Sequence, residues 1–465
     1  MLDICVPPRL RFEQGSIVIS SEDWSPAIEN LVGTTFKFDS RTGQYRSAGQ
    51  HYAEVVLSLY RNKIPYRDEA KSFQPLEFKL QGQRQARPYQ EEALQAWLAA
   101  QKKGVVVLPT GAGKSFLALL AIQHTSRPCL VVVPTLDLLA QWVKDLETSL
   151  GIQVGIWGGG EHHTAAVTVS TYDSAQIHVE HEGHAFGLII FDECHHLPGP
   201  SYRWIAKMAV APYRLGLTAT PERGDGGESL LDDLVGPIVF RTEISELKGT
   251  YLSDYETQLI EVPLDVDEET VYREQRSIYT QFLREQGLDF SRPEAWQEFL
   301  GACFKSEAGR EAYRAYRLQK EILKNSTSKL KVLWDLLYKY RHEQILIFTN
   351  DNDTAYAIGE RFVLPVLTHQ TKLKERKQML EAFRSAELPW LVTSKVLNEG
   401  VDVPRVNVGI VVSGSGSVRE HVQRLGRILR KDGDRPAQLI ELVSLGTSEK
   451  WQSQRRRDHV AYGGT

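Results

Sequence analysis

The chain has 465 residues, of which 42% are hydrophobic and 25% charged, and a formal net charge of -4. That length exceeds a single hydrophobic core and predicts roughly two to four domains of ordinary soluble composition. The charge excludes whole-molecule attraction to a polyanion and leaves room for a local basic track. No apolar run has bilayer-spanning length, and the opening "MLDICVPPRLRFEQ" lacks the apolar segment of a signal peptide. Cys5, Cys129, Cys194 and Cys303 are scattered without a C-x-x-C pair, as in a reduced, cytosolic thiol set.

In residues 1–80, "GSIVIS" and "TTFKFDS" alternate like strands and "QHYAEVVLSLYRN" has a helical period. A small α+β domain is expected there. In residues 81–242 the apolar runs "GVVVLPTGAGKS", "CLVVVPT", "AVTVSTYD", "GLIIFDE" and "YRLGLTATP" alternate with amphipathic stretches. Continuous apolar strands ending in polar loops predict a parallel sheet covered by helices on both faces, with ligands at the strands' carboxyl ends. Residues 243–328 are charged, studded with aromatics and helical in period, a linker and helical insert in which Pro293 is placed to open a helix. Residues 329–452 resume the first rhythm with "EQILIFTN", "LPVLTHQ", "WLVTSKV", "VGIVVSG" and "AQLIELVS", a second domain of the same kind. Residues 453–465 read as a flexible tail. The expected fold class is α/β, with two tandem parallel-sheet domains.

"LPTGAGKS" joins a predicted strand to a predicted helix. Backbone amides from Thr110 through Gly111, Ala112 and Gly113 to Lys114 can wrap phosphate oxygens, Lys114 reaches the terminal phosphates, and Ser115 suits Mg²⁺. Leu108 stands where the strict pattern has glycine, so the match is to a looser form. The alternative is a chance glycine-rich turn. "DECHH" at 192–196 ends a later strand. Asp192 suits Mg²⁺ held through its water shell, and Glu193 suits orienting and deprotonating water. A zinc site on Cys194, His195 and His196 fares worse, because adjacent histidines of an extended segment point apart and no second Cys/His pair lies at finger spacing. His162 and His163 read as a solvated loop pair.

In "HVQRLGRILR", Gln423, Arg427 and Arg430 share one helical face beside Arg424. Guanidinium groups suit the charge of a phosphoryl transition state, although a solvated basic helix would look alike. Gln90 is placed either to read an adenine edge or to sit as an exposed helix residue. Thr218 and Thr220, with the strand-end hydroxyls of Thr135, Thr171, Thr349, Thr393 and Ser394, either contact nucleic-acid phosphates or cap turns.

Taken in order, "RPYQ", "LPTGAGKS", "PTLDLLAQW", "DECHH", "LGLTATPER", "ILIFTN", "VTSKVLNEGVDVP" and "QRLGRILR" resemble the motif series of superfamily two helicases and translocases. The D-E-x-H-H form, "SGSGSVREHVQRLGRILR" and the helical insert resemble more narrowly the XPB family of DNA repair and transcription helicases. The resemblance implies two RecA-like domains, an N-terminal damage-recognition-like domain and a thumb-like insert. It further implies ATP and Mg²⁺ as cofactors and three-prime to five-prime movement on DNA. By motif it assigns Lys114, Ser115, Asp192 and Glu193 to hydrolysis and Gln90 to adenine. Arg427 and Arg430 become arginine fingers, His195 and Gln423 relays between domains, and Thr218 and Thr220 coupling residues. Arg223 and the strand-end hydroxyls are assigned to DNA. The insert's aromatic and basic residues stack on bases in one reading and pack on one another in another. Where family members often carry Arg-Glu-Asp, this chain has Arg223-Gly224-Asp225, which predicts weaker strand separation. The resemblance implies a compact archaeal or bacterial form, a cytoplasmic, nucleoid-associated monomer acting at single-strand/duplex junctions with a companion endonuclease. The rival readings are an RNA helicase, a restriction-type motor subunit, and a damage-binding scaffold without turnover.

Overall fold

A computed structural model describes residues 7–21, 26–82, 84–222, 226–247, 255–288, 295–394, 406–413, 436–450 and 453. The chain forms two compact units that change over after Thr242. No helix among the described residues is long and apolar enough to cross a membrane.

The first unit begins with a small sheet ordered Lys37–Asp39, Gln44–Ala48, Ser16–Ser20, Arg9–Glu13 and Arg67–Glu69. Neighbours are antiparallel except the last pair. The helices Pro26–Thr35 and Tyr52–Arg61 cover it, burying Leu10, Ile17, Ile19, Ile28, Val55 and Leu59 in one core. This layer rests directly on the rest of the unit. Gly15 N donates to Glu180 O at 2.9 Å, and the Phe12 ring stacks on His184 with centroids 4.9 Å apart. At Gly49 the approach is closest: a Cβ there would stand 2.1 Å from Met208 O, so the position takes no side chain.

The larger sheet of this unit runs Ile238–Arg241, Lys103–Val107, Tyr213–Thr218, Leu188–Asp192, Cys129–Val133, Val167–Thr171, Gly155–Gly158 and Glu161–His163. All neighbours are parallel except the final hairpin. Every residue of Cys129–Val133, Val167–Thr171 and Leu188–Asp192 is buried, which explains the continuous apolar runs of the first and of Leu188–Phe191 in the third. Helices Lys114–Thr125, Leu136–Leu150 and Tyr172–Glu182 make the crossovers. Because the strands are parallel, Val107, Val133, Thr171, Asp192 and Thr218 all end on one rim.

The second unit carries a wholly parallel sheet ordered Tyr255–Val262, Ala437–Ser444, Val408–Val411, Ile345–Phe348, Trp390–Thr393 and Val366–Leu367. The α/β fold class expected from the sequence therefore holds, with parallel sheets in both halves and a small α+β layer ahead of them. The insert is helical: Val266–Glu285, Ala295–Lys305 and Glu307–Asn325. Pro293 lies outside the described residues. Phe282, Phe299, Cys303 and Ala312 give the insert a core of its own. Tyr279 lies 5.6 Å from Phe299 and 5.2 Å from Tyr316, and Trp296 lies 5.3 Å from Tyr316, centroid to centroid. Of the two readings of the insert's aromatics, mutual packing describes these four rings. The Thr327–Lys339 helix then returns the chain to the sheet. Its buried Lys329 donates to Glu449 Oε2 at 2.6 Å and to Leu323 O at 2.9 Å.

Candidate active site

The loop after Lys103–Val107 turns sharply into the Lys114–Thr125 helix. Gly111 and Gly113 have φ of +85° and +80°, a left-handed backbone that glycine adopts without penalty. At Gly113 a Cβ would also stand 2.5 Å from Gln90 Nε2. The Thr110 hydroxyl in this loop is buried and has no hydrogen-bond partner among the described residues. Lys114 Nζ donates to Leu108 O at 3.4 Å and lies 3.6 Å from Glu193 Oε1. Ser115 follows in the first turn of the helix.

Asp192 closes its strand on the same rim and is 6% exposed. Its Oδ2 accepts from Trp142 Nε1 at 2.9 Å and its Oδ1 from Glu193 N at 3.1 Å, while Tyr172 donates to its carbonyl at 3.0 Å. Burial above all, then the Glu193 charge, pushes the Asp192 carboxyl up to about 6, against the opposing pull of Lys114 and Trp142. A carboxylate so placed is one whose ionised form a cation would stabilise.

Glu193 has φ +47°, a left-handed conformation uncommon outside glycine and concentrated at functional sites. It heads the short 3-10 turn Cys194–His196. The fully buried Thr218 hydroxyl lies 3.1 Å from His195 Nδ1, 3.4 Å from Glu193 Oε2 and 3.1 Å from Thr220 O. His195 Nδ1 is itself 3.4 Å from Glu193 Oε2. Glu193, His195, Thr218 and Thr220 thus form one network across the ends of two adjacent strands.

The zinc alternative is excluded by the same geometry. The buried Cys194 thiol is pushed up, chiefly by desolvation, and packs against Gly216, where a Cβ would come within 3.0 Å of Sγ. His195 is turned to Thr218 instead. The solvated-loop reading of the other histidine pair needs correction. Residues Glu161–His163 form an edge strand, and His162 contacts Glu182 rather than only water, because the hairpin folds it against a neighbouring helix.

Gln90 is not the exposed helix residue that one of its two readings expected. It is 2% exposed, accepts from Arg87 N at 3.0 Å and donates to Gly113 O at 3.2 Å. Its amide braces the phosphate loop in this conformation. The strand-end hydroxyls are likewise engaged within the protein. Thr135 accepts from Leu138 N and Thr171 from Ser174 N, each capping a helix. Thr349 and Thr393 are fully buried and donate to Asp351 O and Ser394 O, and Ser394 donates to Asn352 Oδ1 at 2.7 Å. The hydroxyls of Thr349, Thr393 and Ser394 would have to give up these donated bonds to donate to a phosphate instead. Arg223, Gln423, Arg427 and Arg430 lie outside the described residues. Sequence reasoning missed Trp142, Tyr172 and Arg84. The Arg84 guanidinium lies 4.2 Å over the Phe116 ring and 3.7 Å from the Cβ position at Gly113, a cation flanking the loop.

Three segments match known families. Residues 83–223 match the type III restriction enzyme res subunit, residues 328–432 the helicase conserved C-terminal domain, and residues 10–70 the xeroderma pigmentosum group B helicase damage recognition domain. The crystal structure of the Pyrococcus furiosus Hef helicase domain shares the fold, with a TM-score of 0.53 at 20% identity, covering 79% of this chain and 98% of that one. Parallel-sheet domains in series, with a phosphate loop facing paired acids in the first, thus define a motor of the helicase class. The DNA 3'-5' translocase XPB2 of Sulfurisphaera tokodaii is 39% identical over 435 residues, 94% of this chain and 95% of that protein. The DNA 3'-5' helicase XPB of Kineococcus radiotolerans is 31% identical over 393 residues, 81% of this chain and 63% of that protein. The chain belongs to the XPB family of helicases.

Proposed function

We propose that this chain couples ATP hydrolysis to three-prime to five-prime movement along DNA, opening duplex at single-strand/duplex junctions. The observation that carries the assignment is the grouping of Lys114, Asp192 and Glu193 at the carboxyl ends of parallel strands, with Lys114 Nζ 3.6 Å from Glu193 Oε1. The residues present fit a magnesium–triphosphate: a buried hydroxyl at Thr110 awaits a partner, and the raised Asp192 carboxyl calls for a cation. Loop amides and Lys114 would hold the terminal phosphates, and Ser115 and Asp192 the Mg²⁺ through its waters. Bound Mg²⁺–ATP supplies the transferable phosphoryl group. Glu193 orients water and takes its proton, and the Thr218–His195 network fixes its carboxylate. Gln423, Arg427 and Arg430 are assigned by motif, the two arginines to the charge of the transferring phosphoryl group. The working form is a monomer in a nucleoid-associated, cytoplasmic setting, with an endonuclease as companion.

The test is phosphate release with and without duplex DNA, single-stranded DNA and RNA. Lys114→Ala and Glu193→Gln should each lower DNA-stimulated turnover by about 10²-fold or more while DNA binding persists. Near-normal turnover in either variant removes its residue from the assigned role. Stimulation by RNA in preference to DNA overturns the substrate.

A further inference from the structure

One of the two histidines left over by the nucleotide site, His162, belongs to a second cluster. Residue His162 pairs with Trp157 across the edge hairpin. The neighbouring Tyr172–Glu182 helix places His178 and Glu182, four residues apart, on one face. Donor atoms of His162, His178 and Glu182 all lie within 4.8 Å of one another. His162 Nε2 is 2.7 Å from Glu182 Oε1, and the two imidazoles stack with centroids 4.0 Å apart and planes 16° from parallel. Behind them, the fully buried Trp157 donates from Nε1 to Thr164 Oγ1 at 3.0 Å, and Thr164 donates to Glu182 Oε2. That relay fixes the carboxylate as the outer hydrogen bonds of metal ligands do.

We propose that His162, His178 and Glu182 form a binding site for a transition-metal ion of the zinc class, which ties the edge hairpin to the Tyr172–Glu182 helix. A simple ion pair accounts for His162 and Glu182, while His178 is brought to them by its packing on Trp157 and on His162. One ion uses all three. Two imidazole nitrogens with one carboxylate oxygen suit Zn²⁺, Ni²⁺ or Cu²⁺ and not Mg²⁺ or Ca²⁺, which take oxygen ligands. Tetrahedral coordination at about 2.0 Å sets donors about 3.3 Å apart, so side-chain rotation closes the set without moving backbone. The His162 side chain is 45% exposed, which gives the ion an entry path and leaves a fourth position to water. The role is structural. The helix's other end, where Tyr172 holds the Asp192 carbonyl, lies about 15 Å away along the axis.

The experiment uses the untagged, metal-stripped full chain. Calorimetric titration should show one Zn²⁺ bound per chain with micromolar affinity, and none with Mg²⁺. Co²⁺ should give the visible absorption of a tetrahedral site without a thiolate charge-transfer band, which separates this site from the cysteines. His162→Ala and His178→Ala should weaken Zn²⁺ binding at least 100-fold, and Thr164→Val by about 10- to 100-fold. Zinc should raise the melting temperature of the wild type and of neither histidine variant. Zinc-free DNA-stimulated ATPase in His162→Ala should equal that of the wild type, showing that the variant folds. Absence of zinc binding by the wild type, a thiolate band with cobalt, or unchanged affinity in both histidine variants overturns the proposal. None of these outcomes bears on the nucleotide site.

Discussion

Replacing Asp192 by asparagine should stabilise the nucleotide-free chain even as it removes turnover. The carboxyl rises from 3.8 to about 6, chiefly through burial. That rise corresponds to about 3 kcal/mol held against the charged form in the fold. Asparagine is neutral and of similar shape. Its single side-chain oxygen cannot serve Trp142 Nε1 and Glu193 N as the two carboxylate oxygens do, and one lost hydrogen bond costs about 1 kcal/mol. The net gain at pH 8 is about 2 kcal/mol, or about 4 °C in the melting of a unit this size. The sign follows from linkage. A carboxyl whose folded value lies above its unfolded one contributes stability that is fully present below the unfolded value and is lost as pH rises through the folded value, here about 6. The advantage of Asp192→Asn should therefore be largest at pH 8, fall below about 1 kcal/mol at pH 5 and vanish near pH 4. Scanning calorimetry at matched scan rates, in magnesium-free buffer at pH 8 and pH 5, measures it. Saturating Mg²⁺–ATP should reverse the order, stabilising the wild type and not the variant. A lower melting temperature for the variant at pH 8, or a difference independent of pH, would refute the reasoning.

Gly113→Ala forces a side chain into φ +80° and places its Cβ 2.5 Å from Gln90 Nε2. It should raise the KM for ATP and cost about 1–2 kcal/mol, and Gln90→Ala in the same chain should recover only the steric part, as ATP titrations of both variants will show. Thr218→Val removes the hydroxyl shared by Glu193, His195 and Thr220. It should lower turnover about tenfold, the equivalent of one hydrogen bond, with nucleotide affinity unchanged by fluorescence titration. Lys329→Met strips Glu449 of its buried ammonium at 2.6 Å. Chemical denaturation should register a loss of about 3–5 kcal/mol, much of it restored by adding Glu449→Gln.

The two parallel sheets were legible because strands covered on both faces are unbroken apolar runs. Cys129–Val133 and Leu188–Asp192 are buried at every position. The phosphate loop was legible for a related reason, since glycines with positive φ and a lysine at fixed spacing are a local requirement. What stayed hidden depends on strand order. Trp142 reaches Asp192 from 50 residues away and Tyr172 from 20, because Cys129–Val133, which leads into the first helix, lies next to Leu188–Asp192, and Val167–Thr171, which leads into the second, lies one strand further out. Motif spacing carries no trace of that adjacency. A signal for Gln90 lies in its position: Pro88 opens the helix, and a glutamine three residues after Arg87 is placed to accept from Arg87 N. The insert concealed its core among charges, because Tyr279, Phe299 and Tyr316 come from three different helices. His162 reads as loop in the sequence because its strand is three residues long and follows three glycines.

The same arrangement explains why this site needs its ligand in order to be at ease. Glu193 sits in a left-handed backbone, Asp192 resists ionisation, and Lys114 Nζ lies 3.6 Å from Glu193 Oε1. Lys114 cannot serve Glu193 and a terminal phosphate equally well, since an ammonium directs its donors from a single point. Anion binding in the loop would draw Nζ toward the phosphates and loosen its 3.6 Å contact with Oε1, while Oε2 keeps its partners at His195 and Thr218. One carboxylate oxygen is thus held by the protein and the other is released by the ligand. On the proposed roles, the strand-end network would set the orientation of the base, and nucleotide binding would decide when its second oxygen turns to water.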